Sequence, residues 1–466
     1  MHNAILSWIL ALRKNYWFWP STMTLVAVLL GFLLPYLDTR FGSDWIQSVG
    51  FIRAIQVDGA RAILTTLATA TLGVAGVAFS VTIVAVSFAT SNYGPRLIGN
   101  FMSDRTNQVV LGIFVATFVY CITVLSTVHA QPEPAQAAQD AFVPQLSVLF
   151  ALVLALTAIG ALISYIHHIP ESINIMNVTA QLGDKLQRSV TAMLDKEDKR
   201  RKELDPVDVA AWPSRRHDAG AIILQAETTG YLQQVDLERL TVLARKRGVQ
   251  IILHRAPGDF LVPGEVIMSA HSARNDDMSA SSTSKEDASV RRRMRDCATQ
   301  GSNRTDAQDV LFLSDQLVEV LGRALSPGIN DPHTAMLCLN WLRGGLMAFA
   351  SRPPAQPARQ DDPVFYRRVT FEDMLDSSFD QMRQYVGADR TVTLHALGIL
   401  ADLAEIASRQ AMTDACIRQM RRLAASAAEL QNETTAHEEI DTAHNSALQA
   451  IAETRSHDRE ARKASG

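Results

Sequence analysis

Two short runs hold the densest set of chemistry-bearing side chains in this 466-residue chain. They are Arg304-Thr305-Asp306-Ala307-Gln308-Asp309 and Arg323-Ala324-Leu325-Ser326-Pro327-Gly328-Ile329-Asn330-Asp331-Pro332-His333. Pro327-Gly328 suits a tight turn, and Asn330 or Asp331 can cap the next helix with Pro332 at its first position. An amide-rich helix N-terminus beside Arg304 and Arg323 would attract an anion or phosphate. Asp306, Asp309 and Asp331 would repel one unless they hold a metal. The ligand-binding candidates are therefore Arg304, Asp306, Asp309, Arg323, Ser326, Asn330, Asp331 and His333, and an ion or small molecule is the partner class they would take. Read structurally, the same residues make a helix-turn-helix joint.

Catalysis has less behind it. Asp331 with His333, or Ser326 with His333, are close in sequence, but adjacent polar residues are cheap. No G-x-S-x-G, H-E-x-x-H or G-x-x-x-x-G-K-[ST] pattern supplies a reaction or a phosphate cradle. No catalytic residue is assigned, the chain reads as a non-enzyme, and no cofactor is expected. His167, His168 and Glu171 have zinc-compatible chemistry, yet histidines at a helix end are commoner as interfacial or dipole-complementing residues, and no metal is assigned.

A different signal lies in Ala62 to Thr90, which carries no charged residue and is rich in Ala, Gly, Ser and Thr. Thr65, Thr69, Gly73, Gly76, Ser80, Ser87 and Ser91 step by 4, 4, 3, 4, 7 and 4, which keeps them on one face of a helix, interrupted by Val84. Such a face has two physical uses in a membrane. Small residues let a neighbouring backbone approach closely, and hydroxyls with accessible backbone can line a water-filled path.

The elements that position these residues follow from hydropathy. Four segments have membrane length, at about 17–37, 62–90, 109–128 and 146–166, each free of charge inside. Together they predict a membrane domain over 1–169. Arg13 and Lys14 precede the first span, Arg96 and Arg105 lie between the second and third, and Lys185 and Arg188 follow the fourth. The loop Ala130 to Val143 has neither Lys nor Arg, which places both termini in the cytoplasm of a bacterial inner-membrane protein. Arg40, Arg53 and Arg61 in the first outer loop run against this, beside Asp38, Asp44 and Asp58. A cleavable signal peptide fits poorly, because Arg13-Lys14 follows the apolar run Ile5 to Leu12 instead of preceding it. With no Asp, Glu, Lys or Arg in any span, an ion-coupled carrier is disfavoured and a passive pore is the more natural transport mode.

The net charge of -4 is small for the length, so a nucleic-acid partner is not implied. The four cysteines, Cys121, Cys297, Cys338 and Cys416, form no C-x-x-C pair and are expected as free thiols.

After the spans, 170–216 reads as a helical connector with the mixed-charge run Lys196 to Glu203. A small α+β subdomain is expected over 217–303: strands Ala221 to Ala226, Val249 to Leu253 and Phe260 to Met268, a helix Val235 to Arg247, a mobile loop 269–289, and a returning strand Val290 to Ala298. From 304 to 466 the pattern is helical, with joints near Gly387 and Asn432. The fold class is thus an α-helical bundle of four transmembrane helices followed by a cytoplasmic α+β domain whose second part is mainly helical.

Ser91-Asn92-Tyr93-Gly94-Pro95-Arg96-Leu97, Pro257-Gly258-Asp259-Phe260-Leu261, Arg304 to Asp309 and Ala324 to Pro332 together resemble the bacterial predicted-membrane-protein family catalogued as domain of unknown function 2254. The likeness runs from about Trp8 to Ile406. It implies a membrane location and a four-helix amino-terminal half, and carries no activity and no catalytic residues. From the residues themselves, the expected function is a homo-oligomeric, channel-like pore with the second span at its axis and a cytoplasmic gating or assembly domain. The alternative is a membrane-anchored ligand sensor or scaffold without transport.

Overall fold

A computed structural model describes residues 17–41, 55–97, 104–128, 143–202, 221–272, 284–352 and 363–464. The chain divides into two compact units, Met1–Val178 and Thr179–Gly466.

The first unit is built on four helices, each long and apolar enough to cross a membrane: α1 (Phe18–Phe41), α2 (Val57–Tyr93), α3 (Arg105–Leu125) and α4 (Gln145–Ile173). All four overlap the expected spans, and three of them run well beyond, because polar flanks continue the helical hydrogen bonding. The 37 residues of α2 give it a length of roughly 55 Å at 1.5 Å per residue, well over a 30 Å hydrocarbon core.

Close approach inside this unit relies on small residues. A side chain at Gly31 of α1 would lie 2.8 Å from Thr123 of α3, and one at Gly112 of α3 would lie 2.6 Å from the Met23 sulfur of α1. These contacts set α1 and α3 running in the same direction. α2 buries Ala60, Leu64, Ala68, Thr71, Ala75, Ala78, Thr82, Ala85 and Ala89, a seam that keeps one helical face against α3 and α4. Inside the bundle, the Tyr165 hydroxyl bonds Thr82 Oγ1 at 2.8 Å and also donates to the Ala78 carbonyl.

Both ends of the bundle are closed by specific polar contacts. At one, Asp38 near the end of α1 accepts from the backbone N–H groups of Leu146 and Ser147, at 3.0 and 3.1 Å, and from Ser147 Oγ at 2.8 Å. It thereby caps α4, whose own preceding residue, Pro144, makes no side-chain cap. Gln145 beside it mimics a backbone partner for Ile55, accepting from its N–H at 3.0 Å and donating to its carbonyl at 2.8 Å. At the other end the Tyr93 hydroxyl donates to the Ile173 carbonyl at 3.0 Å.

The second unit is helix-rich with some strands. It takes in most of α5 (Ile175–Lys202), then β1 (Ile222–Gln225), β2 (Gly230–Val235), α6 (Leu237–Arg247), β3 (Val249–Leu253), β4 (Phe260–Leu261), β5 (Val266–Ser272), α7 (Ser284–Arg295) and β6 (Ala298–Gly301). The chain continues through α8 (Val310–Ala324), α9 (Pro332–Ala350), β7 (Val364–Phe365), α10 (Phe371–Phe379), α11 (Arg383–Ala388), α12 (Arg390–Ile406), α13 (Gln410–Leu430) and α14 (Thr434–Ala464). Four strands pair in the order β1-β5-β3-β7, antiparallel except for β3 with β7, and three in the order β4-β2-β6. α6 and α7 contribute Leu240, Leu243, Val290 and Met294 to one apolar core with Leu224, Leu232, Ile251 and Met268.

Several expectations are corrected here. Phe260 to Met268 is two strands, because Pro263-Gly264 turns the chain, with Gly264 at φ +91°, and sends β4 and β5 into different sheets. Val290 to Ala298 is not a strand: Val290 and Met294, four apart, form the buried face of α7, with Glu286 and Asp287 in its first turn and Arg292, Arg293 and Arg295 in its last. Of the loop expected over 269–289, Ser269 to Ser272 instead completes β5 and the residues from Ser284 on belong to α7; residues 273–283 lie outside the described residues. The helix expected from Val235 begins at Leu237, where Asp236 accepts from the Arg239 N–H at 3.0 Å, and Val235 ends β2, a strand the sequence reading lacked. Gly248 stops α6 in the left-handed conformation, as its position suggested. The joints expected near Gly387 and Asn432 fall where α11 and α13 end.

Candidate functional site

Thr65, Thr69, Gly73, Gly76, Ser80, Ser87 and Ser91 are all exposed, on the face of α2 turned away from its buried alanine seam. Nothing lies within 4 Å of a side chain built at Gly73 or Gly76. Large exposed side chains flank the strip, Leu72, Phe79 and Ile83 along one edge and Val77, Val81 and Phe88 along the other. Three of its hydroxyls donate within the helix: Thr69 Oγ1 to the Thr65 carbonyl at 2.9 Å, Ser80 Oγ to Gly76 at 2.9 Å and Ser91 Oγ to Ser87 at 3.0 Å. What this face offers a neighbour is a smooth surface with hydroxyl oxygens.

In the second unit, Arg304 and Asp309 meet directly. Arg304 Nε donates to Asp309 Oδ2 at 2.6 Å and Nη2 to Oδ1 at 3.2 Å, while Nη1 donates to Asp315 Oδ2 at 2.6 Å. Its guanidinium also stands 5.2 Å from the centre of the Phe312 ring. Asp309 caps α8 by accepting from the Phe312 N–H at 3.0 Å. Burial pushes the Asp309 carboxyl above its ordinary value, a push that the Arg304 hydrogen bonds and charge only partly offset. Asp315 takes two more donors on its other oxygen, Ser377 Oγ at 3.0 Å and Gln381 Nε2 at 3.3 Å. Gly258, at φ +100°, leaves no room for a Cβ, which would fall on Asp309. Gln308 exchanges two hydrogen bonds with the Val235 backbone, at 2.9 and 3.0 Å, and Asp306 pairs with Lys185. Together with Asp315, this run therefore clamps β2, the Pro257 to Asp259 turn, α5, α8, α10 and the residues just after it.

Sequence reasoning missed Asp315. Its signal is an acidic residue in the middle of the buried face of α8, which requires a buried cation.

The second run forms a closed turn between α8 and α9. Ser326 Oγ donates to the Arg323 carbonyl at 2.6 Å, the Asn330 N–H to Ser326 at 2.9 Å and the Asp331 N–H to Ala324 at 2.8 Å. Asn330 sits at φ +50°, where asparagine is among the better tolerated non-glycine residues. Asp331 caps α9, accepting from the Thr334 N–H at 3.1 Å and from its hydroxyl at 2.6 Å. Those bonds hold the Asp331 carboxyl below its usual range. Arg323 lies 3.9 Å from Glu319 on its own helix, and His333 is exposed. The capping oxygens of Asp331 occupy the amide donors that an anion would otherwise use.

His168 Nε2 lies 2.6 Å from Asp104 Oδ2, and His167 lies 3.4 Å from Glu171. Among the described residues no group of three or more His, Cys, Asp or Glu is placed to hold a metal. All four thiols are buried and free; burial pushes Cys297 up to about 11 and Cys416 up to about 12, which leaves little thiolate near neutral pH.

Comparison with known proteins adds a family and no activity. Uncharacterized proteins of Mycobacterium bovis and Mycobacterium tuberculosis are each 29% identical over 356 residues, covering 74% of this chain and 64% of theirs. The chain thus spans less than two thirds of the length of these relatives. No solved structure matches it. The model of the predicted membrane proteins of domain-of-unknown-function family 2254 matches residues 13–402, and the chain belongs to that family.

Proposed function

We propose that this is a multi-pass protein of the bacterial inner membrane that assembles with copies of itself through α2 as a channel-like homo-oligomer. Both termini and the second unit lie in the cytoplasm, where that unit gates or organises the assembly. The observation that carries this reading is the direction of the small-residue strip. Packing within the chain uses the alanine seam of α2, so Thr65, Thr69, Gly73, Gly76, Ser80, Ser87 and Ser91 are left facing outward.

Lipid gives helices no hydrophobic reason to associate, so close packing of such smooth faces is what would draw copies together. Around an axis, the same face would present backbone and hydroxyl oxygens to water with no charge to trap a permeant species. The scaffold alternative shares the assembly and lacks conduction.

The test is reconstitution in liposomes with conductance or solute flux recorded under voltage, tension and osmotic shock, repeated with Gly76→Leu and Ser80→Leu. Flux that is lost or reduced severalfold in both variants supports the reading. No flux under any stimulus removes the pore, and flux indifferent to both replacements removes α2 from its lining.

A further inference from the structure

α6 and α7 lie side by side on one face of the four-stranded sheet, α6 against β3 and β7 and α7 against β1, with Leu240, Leu243, Val290 and Met294 turned into the core. They run in opposite directions. The end of α6 meets the start of α7 where Arg247 lies 3.8 Å from Glu286, and the start of α6 meets the end of α7 where the Asp236 N–H donates to the Cys297 carbonyl at 2.8 Å. The outward sides of the two helices therefore form one surface. Arg245, Lys246, Lys285, Arg292 and Arg293 are exposed on it, together with Val242, an aliphatic side chain left 66% exposed.

The positive charge of this surface is not neutralised within the fold. Arg239 pairs with Asp236, Arg247 with Glu286 and Arg295 with Glu227, and Arg291 Nε donates to the Ile223 carbonyl at 3.0 Å. Among the described residues, the other five cations make no ion pair and no side-chain hydrogen bond, and the acidic side chains left over on the two helices, Glu238, Asp287 and Asp296, are fewer. Complementing a helix dipole accounts for cations in the last turns of α6 and α7. It does not account for Lys285, which stands in the first turn of α7, where a cation opposes the dipole.

We propose that this surface docks on an anionic bilayer, its cations facing lipid phosphates and Val242 entering the headgroup boundary. Three observations select that partner. The cations are spread over two helices, which suits a plane of charge. Neither helix carries an aromatic residue on which a nucleic-acid base could stack, and the exposed apolar side chain among the cations is aliphatic. The unit is also covalently continuous with four membrane-length helices, so a lipid surface is present at high effective concentration. The docking does not depend on whether α2 forms a pore.

Bimane fluorescence on the full-length protein in nanodiscs tests it, with the label on Val242→Cys, since the native thiols are buried. Discs of phosphatidylcholine alone are compared with discs holding about 30% phosphatidylglycerol, both containing a headgroup-nitroxide lipid as quencher. Quenching should be at least about twofold stronger in the anionic discs and fall to the neutral-disc level as salt rises from about 0.1 to 0.5 M. Each cation near an anionic surface strengthens docking about fivefold, so Arg245→Glu with Lys246→Glu, or Arg292→Glu with Arg293→Glu, should lower the docked-to-free ratio by at least about 25-fold. Either pair should then remove the excess quenching, and Arg292→Lys with Arg293→Lys should keep it. Equal quenching in the two kinds of disc overturns the proposal, as does an excess that survives high salt or both charge reversals, or that is lost in the lysine pair. A short single-stranded RNA that changes the bimane emission in neutral discs more than anionic lipid does assigns the surface to nucleic acid and overturns it equally. If one reversal fails to fold, the lipid and salt responses and the other reversal decide.

Discussion

Replacing Arg304 with alanine is expected to be among the most damaging single changes in the second unit. The guanidinium serves two carboxylates, Asp309 and Asp315, whose side chains are only 4% and 11% exposed. Removing the cation leaves both buried negative charges without their counterion. Breaking a buried pair from one side costs about 3–5 kcal/mol, because the remaining charge cannot be rehydrated. At roughly 2–4 °C per kcal/mol for a unit of this size, thermal unfolding should move down by about 6–20 °C. The pH dependence supplies a second check. Burial already raises the Asp309 carboxyl, and losing Arg304 removes what opposes that rise. A carboxyl whose folded value lies above its unfolded value favours the folded state as pH falls. The deficit of Arg304→Ala should therefore be largest near pH 7.5 and shrink toward pH 5. Thermal scans of the purified full-length protein in nanodiscs, wild type against variant at both pH values, measure it. A shift under 2 °C, or a deficit that grows on acidification, would refute the clamp.

Asp331→Ala should lower stability by about 0.5–2 kcal/mol through loss of the α9 cap. Because the Thr334 contacts hold that carboxyl low, its electrostatic contribution is fully present above the unfolded carboxylate value and is lost as pH falls through the lower folded value, so wild type and variant should draw together on strong acidification. Gly183→Ala places a Cβ 2.3 Å from the Trp341 ring and should cost about 1–3 kcal/mol by overpacking, read as an earlier thermal midpoint. Gly322→Ala, with nothing within 4 Å, should instead be neutral or stabilising by up to about 1 kcal/mol. Asp38→Ala should raise amide exchange at Leu146 and Ser147 severalfold while leaving the α2 amides near Ala78 unchanged.

The four apolar helices were legible because a run of about 20 uncharged residues has few other uses. Less legible was which face of α2 packs inside the chain. Ala68, Ala75 and Ala78 on one side and Thr69, Gly76 and Ser80 on the other are all small, and helical spacing alone does not rank the two faces. Local capping read well at Gly248 and Asp331, where a glycine or a short polar residue meets a helix end. Long-range capping did not: Asp38 caps a helix that begins more than a hundred residues later, and only its low exposure marks it. α7 was misread because its polar composition hides a buried pair, Val290 and Met294, whose spacing is helical. β7 has two residues and is held by pairing with β3, which no local pattern announces.

Self-association through α2 is tested most directly by single cysteines in the membrane-embedded protein. The native thiols are all buried, so Gly76→Cys or Ser80→Cys would supply the accessible sulfur on that helix. Mild oxidation should link either variant into a covalent dimer on non-reducing gels. Val81→Cys, on the same helix but to the side of the strip, should remain monomeric. Equal cross-linking at Val81 and Gly76, or none at Gly76 and Ser80 in membranes, would contradict the assembly through this face.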